Sequence, residues 1–336
     1  MKKPIRLGFI GCGGHSARHA DVVSKIYESY EIVAAMDTQL GSAIKFLSKY
    51  KGLNGVASSN LDKFFEANME AVLIGSPHKY HLEQAEAAVR AGKHVLCEKP
   101  LWEARTPAEV DQKLQTARRI IEEAAARGLI FSSCHLRRYE KEYVYIKEHL
   151  DEYLEKFGGV VEAHFQFFYH EPSTGWKMDD SLLLDHMNHE IDLIHFLFGY
   201  SPATFWRLSH SFDEYRVAGK TESGLGIWFS GYRRLKSRTF RNELELIFER
   251  GRVRTEVVLN SGSGMVSSSV STLSFEDDSE TVTHFCAHSY DDALVGVMRN
   301  FAAAIRGEEK CYLTTHDLLV NTTICNDLIL NEHGEI

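Results

Sequence analysis

The chain lacks the features that mark membrane-spanning and nucleic-acid-binding proteins. Its 336 residues contain no run close to the roughly 18 consecutive apolar residues of a membrane span. Basic side chains are too few for a phosphate-binding surface, since 38 lysines and arginines stand against 47 aspartates and glutamates and the formal net charge is −9. The apolar stretch near the amino terminus runs into glycines and is too short for the core of a signal peptide. We expect no membrane or nucleic-acid partner.

Cysteine is scarce as well. The six cysteines are widely spaced and form no CxxC pair; they are Cys12, Cys97, Cys134, Cys286, Cys311 and Cys325. This spacing favours reduced thiols over a disulfide framework or a zinc cage. Internal repeats, proline-rich linkers and low-complexity tracts are also missing. We therefore expect a cytoplasmic protein without a metal site.

Two regions of different composition divide the chain, which is long enough for two domains. Residues 1–134 alternate short apolar runs with helical patterns, one of them with Thr106 as its N-cap, which predicts a doubly wound parallel sheet. Residues 135–336 contain longer runs rich in aromatic and β-branched residues, typical of a mostly antiparallel sheet, and end in helical segments near 291–305 and 317–330. The sequence thus predicts an α/β fold of two domains. The C-terminal helix is also a candidate to pack back on the first domain.

The first apolar run leads into a glycine loop and then a helical pattern, in "IRLGFIGCGGHSARHADVV". Strand, glycine turn and helix in this order are typical of a dinucleotide-binding motif. Gly11 permits the tight turn, and Gly13 lets backbone N–H groups approach a pyrophosphate at the helix start. Ser16 stands at the third position in place of glycine or alanine and is still small enough for helix–strand packing. Taken alone, the loop also fits an ordinary strand-to-helix turn.

Asp37 strengthens the dinucleotide interpretation. It ends the second apolar run, where a carboxylate can accept hydrogen bonds from the adenosine ribose. A carboxylate there repels a 2′-phosphate, and the following Thr38, Gln39 and Leu40 supply no arginine to offset this repulsion. The sequence therefore favours NAD over NADP. The alternative is an aspartate that caps the next loop.

Lys99 and Pro100 follow Glu98 at the end of another apolar run, in "GKHVLCEKPLWEA". In open α/β sheets, ligands bind at the carboxyl ends of the strands. Pro100 keeps Lys99 out of helical geometry and so fixes the bend at which its side chain leaves the backbone. Taken alone, such a lysine is more often a solvated surface charge.

Five segments, in order along the chain, carry a family resemblance: "GFIGCGGHSARH", "GSPHKYH", "AGKHVLCEKPL", "HLRRY" and "DHMNHEID". On these segments the chain resembles the glucose-fructose oxidoreductase / inositol dehydrogenase (Gfo/Idh/MocA) family of NAD(P)-dependent dehydrogenases. The resemblance implies a Rossmann domain and then an α/β domain whose open antiparallel sheet is often used in oligomer contacts. It also implies that Lys99 is catalytic, with a bond to Pro100 that is often cis. The residues expected at the cofactor are Gly11, Gly13, Gly14, His15, Ser16, Asp37, Ser76, Pro77, His81, Glu98 and Lys99.

The segment "LLLDHMNHEIDLIHFLFG" has the periodicity of an amphipathic helix. Asp185, His189 and Asp192 fall on one narrow face, and His186 and Glu190 are spaced as an i,i+4 pair on another. The order H-x-x-H-E matches no zinc motif, which argues against a metal site. A buried structural histidine is the ordinary alternative. Because the first face matches the family's D-x-x-x-H-x-x-D pattern, we interpret it as a proton relay.

The predicted mechanism gives each of these groups a role. His189 takes the proton of a secondary alcohol while hydride leaves for the nicotinamide ring, and Asp185 orients the imidazole. Lys99 hydrogen-bonds the reacting oxygen and stabilises the developing alkoxide. Which of Lys99 and His189 is the formal base stays open. Arg137 and Asp192, with Lys99 and His189, are the candidates for substrate binding.

Two features depart from the family pattern. Asp180 and Ser181 stand where a glycine pair is common before the catalytic aspartate, and Met187 replaces a common glycine after it. Both changes add bulk or charge, so we expect a substrate whose shape differs from that of familiar members.

The stretch "YRRLKSRTFR" concentrates basic side chains. Arg234, Lys236 and Arg238 would project from one face of a strand. Such a face would suit a phosphorylated or nucleotide-linked sugar, although a solvated or inter-subunit face is the more ordinary interpretation.

The leading hypothesis is an NAD-dependent dehydrogenase that acts on a sugar, polyol or cyclitol, as a homodimer or homotetramer; NADP is the less favoured cofactor. Two alternatives stay open: a non-catalytic sensor of the dinucleotide, and an enzyme that uses transient oxidation in glycoside cleavage or elimination. Retention of Lys99, Asp185 and His189 argues against a sensor, because a sensor needs no proton relay. The family supplies the reaction class by analogy, which the fold alone would not.

Overall fold

The structure is a computed structural model that describes residues 2–50, 55–170, 181–199, 203–236, 240–260, 265–289, 291–331 and 333–335. The strands are β1 (Ile5–Ile10), β2 (Tyr30–Met36), β3 (Val56–Ser58), β4 (Ala71–Ile74), β5 (His94–Cys97), β6 (Phe131–Ser133), β7 (Val160–Tyr169), β8 (Ala203–His210), β9 (Glu214–Thr221), β10 (Gly226–Tyr232), β11 (Phe240–Phe248), β12 (Gly251–Leu259), β13 (Met265–Ser274), β14 (Glu280–Ser289) and β15 (His333–Glu335). The helices are α1 (Gly14–Lys25), α2 (Leu40–Tyr50), α3 (Leu61–Phe65), α4 (His81–Arg90), α5 (Pro107–Ala126), α6 (Lys141–Glu148), α7 (Leu150–Phe157), α8 (Leu182–Phe198), α9 (Asp292–Ile305) and α10 (Thr315–Leu330). None of these helices is both long and apolar enough to cross a membrane.

The chain divides into two compact units. Met1–Leu136 with Ala293–Thr322 form the first unit, and Arg137–Asp292 with Thr323–Ile336 form the second. The predicted boundary, after residue 134, lies just before the observed division. The predicted second domain, 135–336, differs from the second unit because Ala293–Thr322 belong to the first.

The first unit contains a six-stranded parallel sheet with the order β3-β2-β1-β4-β5-β6. Its central strands are enclosed on both faces: Leu7, Phe9 and Ile10 of β1 are fully buried, and all four positions of β4 are buried. Helices α1, α2, α4 and α5 pack against the strands. Strands covered on both faces appear in a sequence as continuous apolar runs, which is why the pattern sufficed to place them. The predicted doubly wound parallel sheet is confirmed.

The second unit contains a sheet whose described strands follow the order β14-β13-β12-β11-β7-β10-β9-β8-β15. Strands β7 and β10 run parallel, and the other neighbouring pairs are antiparallel. Along β7, Ala163, Phe165 and Phe167 are buried, while Gln166 between them is exposed. This alternation gives the sheet one covered face and one open face. The predicted mostly antiparallel sheet is confirmed.

Helix α8 packs on β9 and β10 of this sheet. It begins where Ser181 Oγ accepts a hydrogen bond from the Leu184 amide (3.3 Å), and it ends at Gly199, which has a φ of +78°. Every residue from Leu182 to Leu197 is buried except Asp185, which is half-buried. The predicted helix is confirmed, and its polar side chains are enclosed by protein.

Candidate functional site

The glycine loop follows β1 at the carboxyl edge of the first sheet. Gly11 has a φ of +84°, and a Cβ added to it would lie 2.8 Å from the Cα and the backbone N of Ser76. No other residue fits, because L-residues disfavour this φ and a backbone neighbour cannot move aside. Gly11 and Ser76 thus bring together the turns that follow β1 and β4. These two strands are neighbours in the sheet, and the strand order reverses between them. Ligands bind at that crevice in open α/β sheets.

The start of α1 is open and carries no negative charge. Gly13 is its N-cap without a side-chain hydrogen bond, and no acidic residue lies in the first turn. A Cβ added at Gly13 or Gly14 would meet no atom within 4 Å. The exposed amides and the helix dipole favour an anion, so this loop fits the pyrophosphate of a dinucleotide. His15 is half-buried in the same turn, whereas Ser16 is buried against Gly75 and occupies the small-residue packing position.

Asp37 lies directly after β2, and two backbone amides hold its carboxylate. The Cys12 N–H donates to Oδ2 (2.9 Å) and the Gln39 N–H donates to Oδ1 (3.0 Å). Burial and the charge of Asp37 raise the pKa of the Cys12 thiol to about 12, so this thiol stays protonated at neutral pH. The loop therefore offers a ligand its backbone amides and an oriented carboxylate, and no thiolate.

Glu98 is buried directly after β5, where it pairs with His19 of α1. His19 Nε2 lies 2.6 Å from Glu98 Oε1. Burial by itself would raise the pKa of Glu98, but the hydrogen bond from His19 and the nearby charges of His19, His15 and Lys99 hold it well below its usual range. The carboxylate is therefore ionised, and it fixes α1 to the turn that carries Lys99.

Lys99 is 8% exposed, and its peptide bond to Pro100 is cis, as the family resemblance led us to expect. Behind this turn lies His81, the first residue of α4. His81 Nδ1 is 2.8 Å from the Pro100 carbonyl oxygen, and Nε2 is 2.7 Å from the Ser76 carbonyl oxygen. The ring of His81 is fully buried, so it contacts backbone and presents no atom to solvent.

Ser76 and Pro77 complete the turn after β4. The Ser76 hydroxyl donates to Gln84 Oε1 (2.5 Å), and Pro77 caps the 3₁₀ turn His78–Tyr80. The structure thus places most cofactor candidates at the carboxyl ends of β1, β2, β4 and β5. Ser16 and His81 differ, because both side chains are buried behind that edge.

In the second unit, α8 carries Asp185 and His189 one helical turn apart. His189 is 7% exposed, and Asp185 is half-buried. The His186 ring meets the His189 ring edge to face at 6.1 Å between centroids. This spacing lets a carboxylate orient an imidazole within one helix, which is the arrangement that the sequence predicted.

Asp192 forms a buried bidentate ion pair with Arg138. Arg138 Nε lies 2.8 Å from Oδ2, and its Nη2 lies 2.6 Å from Oδ1. Both carboxylate oxygens are engaged, so the pair stabilises the position of α8, and a role of Asp192 on substrate hydroxyls stays a prediction. Sequence reasoning missed Arg138. The only available signal was its place beside Arg137 in "HLRRY".

Arg137 begins a buried hydrogen-bonded network. Its guanidinium donates to Asn242 Oδ1 (3.1 Å) and to His186 Nε2 (2.6 Å). Because arginine only donates, His186 accepts at Nε2 and carries its proton on Nδ1. That N–H faces Glu190 Oε1 (3.5 Å) and the Tyr215 hydroxyl (3.3 Å), and Tyr215 donates to Glu190 Oε2 (2.7 Å). The predicted pair of His186 and Glu190 is confirmed, and Tyr215 joins it from β9, a partner that helix periodicity does not reveal.

Among the described residues, His19, Glu98 and Cys134 form a group with the spacing of a metal site, their ligand atoms lying within 4.8 Å of one another. Two members of the group are directly hydrogen-bonded, since His19 Nε2 lies 2.6 Å from Glu98 Oε1. Burial and the charge of Glu98 raise the pKa of the Cys134 thiol well above its usual value.

Two arginines of the basic stretch after β10 pair with Asp213, while Arg234 and Lys236 are exposed. Arg233 is buried and donates to Asp213 Oδ1 (2.8 Å), and Arg234 pairs with Asp213 Oδ2. Strand β10 ends at Tyr232, and the exposure of Arg234 and Lys236 agrees with the solvated face that was the more ordinary interpretation. Arg238 lies outside the described residues.

The two departures from the family pattern have structural roles where the structure describes them. Ser181 is the N-cap of α8, and Met187 is fully buried in the core. Met187 therefore fills space under the helix. Asp180 lies outside the described residues.

Comparison with known proteins agrees with this arrangement. A family model described as an oxidoreductase family with an NAD-binding Rossmann fold matches residues 5–131. The inositol 2-dehydrogenase of Mycolicibacterium gilvum (strain PYR-GCK) is 27% identical over 267 residues, which cover 78% of this chain and 71% of that protein.

Two solved structures show the same fold over nearly the whole chain. Apo scyllo-inositol dehydrogenase from Lactobacillus casei matches with a TM-score of 0.77 and 19% identity, covering 100% of this chain and 99% of that one. A 3-ketoreductase from Actinomadura kijaniata, in complex with TDP-benzene and NADP, matches with a TM-score of 0.78 and 20% identity, covering 96% of each chain.

Proposed function

Since the chain belongs to the Gfo/Idh/MocA family of oxidoreductases, we propose that it transfers hydride between a secondary alcohol of a sugar, polyol or cyclitol and a nicotinamide dinucleotide. The observation that supports this proposal is the presence, in one chain, of a glycine turn and a carboxylate at the carboxyl edge of a parallel sheet and of candidate groups for proton transfer. Gly11 and Asp37 belong to the first set, and Lys99, Asp185 and His189 belong to the second. The names of the similar proteins, which include inositol dehydrogenases and a 3-ketoreductase, support the substrate class.

NAD is the cofactor that we propose over NADP. The carboxylate of Asp37 is held by the amides of Cys12 and Gln39 at the end of β2. A ribose with free hydroxyls can donate to such a carboxylate, whereas a 2′-phosphate would be repelled by it. The neighbouring residues 38–44 contain no basic side chain that could offset the repulsion.

A bound nicotinamide would supply the hydride acceptor, and the protein side chains would handle the proton and the developing charge. His189 accepts the hydroxyl proton, and Asp185 orients its ring and stabilises the resulting imidazolium. Lys99 hydrogen-bonds the reacting oxygen and stabilises the negative charge that develops on it. The alcohol becomes a ketone as its proton and hydride leave.

Steady-state rates of NADH formation test these roles in the wild type, Lys99→Ala and His189→Ala. Because a positioned acid or base contributes roughly 10²–10⁴-fold, we expect each variant to lower kcat at least about 100-fold. Lys25→Ala, an exposed lysine of α1, is the matched control and should keep the wild-type rate. Wild-type kcat in Lys99→Ala or in His189→Ala would contradict the assignment of that residue.

The other two hypotheses predict different outcomes of the same assay. A sensor binds NADH tightly and turns over no substrate. An enzyme that oxidises its substrate only transiently consumes a glycoside or releases an elimination product, while the concentration of NADH stays constant. Binding of the dinucleotide is common to all three hypotheses, so only turnover separates them.

We further propose that the open face of the second sheet forms a homodimer or homotetramer contact. Trp206 of β8 and Trp228 of β10 lie in register on either side of Ala218, and they are 45% and 43% exposed. Two half-exposed tryptophans beside a small residue make an apolar patch of the kind found in protein interfaces. We also propose a cytoplasmic location, which six cysteines that form no disulfide support.

A further inference from the structure

His81 joins the two turns that flank the candidate cofactor crevice. Its ring lies between the carbonyl oxygen of Ser76, in the turn after β4, and that of Pro100, in the turn after β5. Pro100 follows Lys99 directly, so this contact is one residue from the amine that the proposed mechanism uses. The ring is fully buried, and sequence analysis had expected it to bind the cofactor.

The same turn is held from its other side. Glu98, directly before Lys99, is bound by His19 of α1 at 2.6 Å. The residues on the two sides of Lys99 are therefore each held by a histidine: His19 of α1 binds the Glu98 side chain, and His81 of α4 contacts the Pro100 carbonyl. A fixed backbone limits the positions that a lysine ammonium can take, and catalysis depends steeply on such placement.

We propose that His81 is a positioning residue for Lys99: it holds the Pro100 carbonyl and thereby sets where the Lys99 side chain leaves the backbone. This proposal rests on the proposed function of Lys99. It makes no use of contact between His81 and the cofactor, because the two ring nitrogens are both directed at backbone carbonyls.

The protonation state of His81 decides how many of its two contacts are hydrogen bonds. Carbonyl oxygens only accept, so both contacts are hydrogen bonds only when the ring carries two protons. Burial lowers the pKa of His81, and the positive charge of Lys99 lowers it further. The two carbonyls and the charge of Glu98 raise this pKa, but their effect is smaller than that of burial. The His78 ring also faces it, at 5.5 Å. At neutral pH the ring therefore carries one proton and donates to one carbonyl, and we assign that proton to Nδ1, which faces Pro100.

Three substitutions separate the two contacts. An asparagine amide reaches about as far as Nδ1 and can keep the bond to Pro100, whereas a glutamine amide reaches about as far as Nε2 and can keep the bond to Ser76. Phenylalanine fills the space and keeps neither bond. We expect kcat to fall no more than about threefold in His81→Asn and about tenfold or more in His81→Gln and His81→Phe. Affinity for NAD, measured by titration, should stay within about twofold in all three, since no contact with the cofactor is lost.

Amide hydrogen exchange over residues 96–102 gives a second readout that needs no substrate. We expect faster exchange in His81→Gln and His81→Phe than in the wild type and His81→Asn. If the wild type oxidises no substrate, the proposed function fails, and this exchange pattern still decides the role of His81. If His81→Phe does not fold, the asparagine and glutamine variants still carry the comparison.

Three results would overturn the proposal. One is wild-type kcat and exchange in all three variants. Another is an equal loss of kcat in His81→Asn and His81→Gln, which would show that the bond to Pro100 has no special effect. The third is a loss of NAD affinity in parallel with kcat, which would assign His81 to the cofactor site.

Discussion

At the scale of single residues, burial leads to opposite charge states for two glutamates. Glu98 stays ionised because His19 binds it, so its contribution to stability is present above the ordinary carboxyl pKa and is lost as the pH falls. Glu190 has the opposite shift: burial raises its pKa to about 7, despite the charge of Arg137 and the hydrogen bond from Tyr215. The folded protein therefore keeps a proton on Glu190 that the unfolded chain releases near pH 4.5, and stability falls as the pH rises between these values.

Glu190→Gln removes this titration and keeps an oxygen that can accept from Tyr215. Between pH 4.5 and pH 7.5 we expect the wild type to lose about 3 kcal/mol more free energy of unfolding than the variant does. Urea denaturation at the two pH values measures this difference. Glu140 and Glu142, whose pKa values are also raised by burial, titrate in both proteins and cancel. Equal losses in the two proteins would show that Glu190 is ionised when folded.

Motif residues could be placed from the sequence, whereas their partners could not. Gly11 and Asp37 lie where a local pattern predicts them, because a turn and a strand end are set by neighbouring residues. The pairs of Glu98 with His19 and of Asp192 with Arg138 join positions far apart in the chain. Such contacts depend on how elements pack, and one sequence carries no local signal for them.

At the scale of elements, two helices begin with the same cap and have different consequences for the site. Thr106 of α5 accepts a hydrogen bond from the Glu109 amide, and Ser181 of α8 accepts one from the Leu184 amide, both at 3.3 Å. The first cap was predicted from the sequence, and it is confirmed. The second begins the helix that carries His189.

Thr106→Ala and Ser181→Ala form a matched pair. Each loses one cap hydrogen bond, so we expect each to lower the free energy of unfolding by about 1 kcal/mol. Only Ser181→Ala should also lower kcat/KM, by at least about threefold, because fraying of α8 would move the proposed relay groups Asp185 and His189. Thermal melting and steady-state kinetics measure the two effects. A loss of kcat/KM in Thr106→Ala of the same size would argue against a local effect of the α8 cap.

Periodicity predicted that α8 is a helix and failed to predict its environment. The sequence placed Asp192 on one polar face and Glu190 on another, yet both side chains are fully buried. The burial of Asp192 depends on Arg138 before α6 and that of Glu190 on Tyr215 in β9, because these residues supply the hydrogen bonds that make it possible. A helical wheel shows which residues share a face and leaves open what covers that face.

At the scale of the whole chain, the division into units is the part that the sequence left least determined. Residues Ala293–Thr322 return to the first unit, where the Tyr30 hydroxyl donates to the Met298 carbonyl (2.6 Å) and Arg306 reaches the Ser29 carbonyl (3.3 Å). The helical pattern of this segment was visible, but its contact with β2 was not. The sequence assigned this segment to residues 135–336, with the C-terminal helix as a candidate to pack back on the first domain, and by its contacts Ala293–Thr322 belong to the first unit.

The proposed assembly can be tested at the same scale. Trp228→Arg places a charge in the exposed apolar patch of the second sheet, and Leu154→Arg places one on α7, where Leu154 is 39% exposed. We expect Trp228→Arg to raise the dissociation constant of the oligomer at least about tenfold and Leu154→Arg to leave it unchanged. Sedimentation velocity over a concentration series measures both. A wild type that stays monomeric throughout would exclude the proposed contact.

The most direct test of the central proposal is the stoichiometry of NADH formed per molecule of substrate consumed. The wild type would be followed at 340 nm with NAD over a panel of inositols, free aldoses, sugar phosphates and nucleotide-linked sugars, with the carbon product quantified in parallel. We predict sustained formation of one NADH for each alcohol oxidised to a ketone, with one substrate class and with NAD preferred over NADP. Substrate consumed without net NADH, or tight dinucleotide binding with no turnover across the panel, would contradict a dehydrogenase.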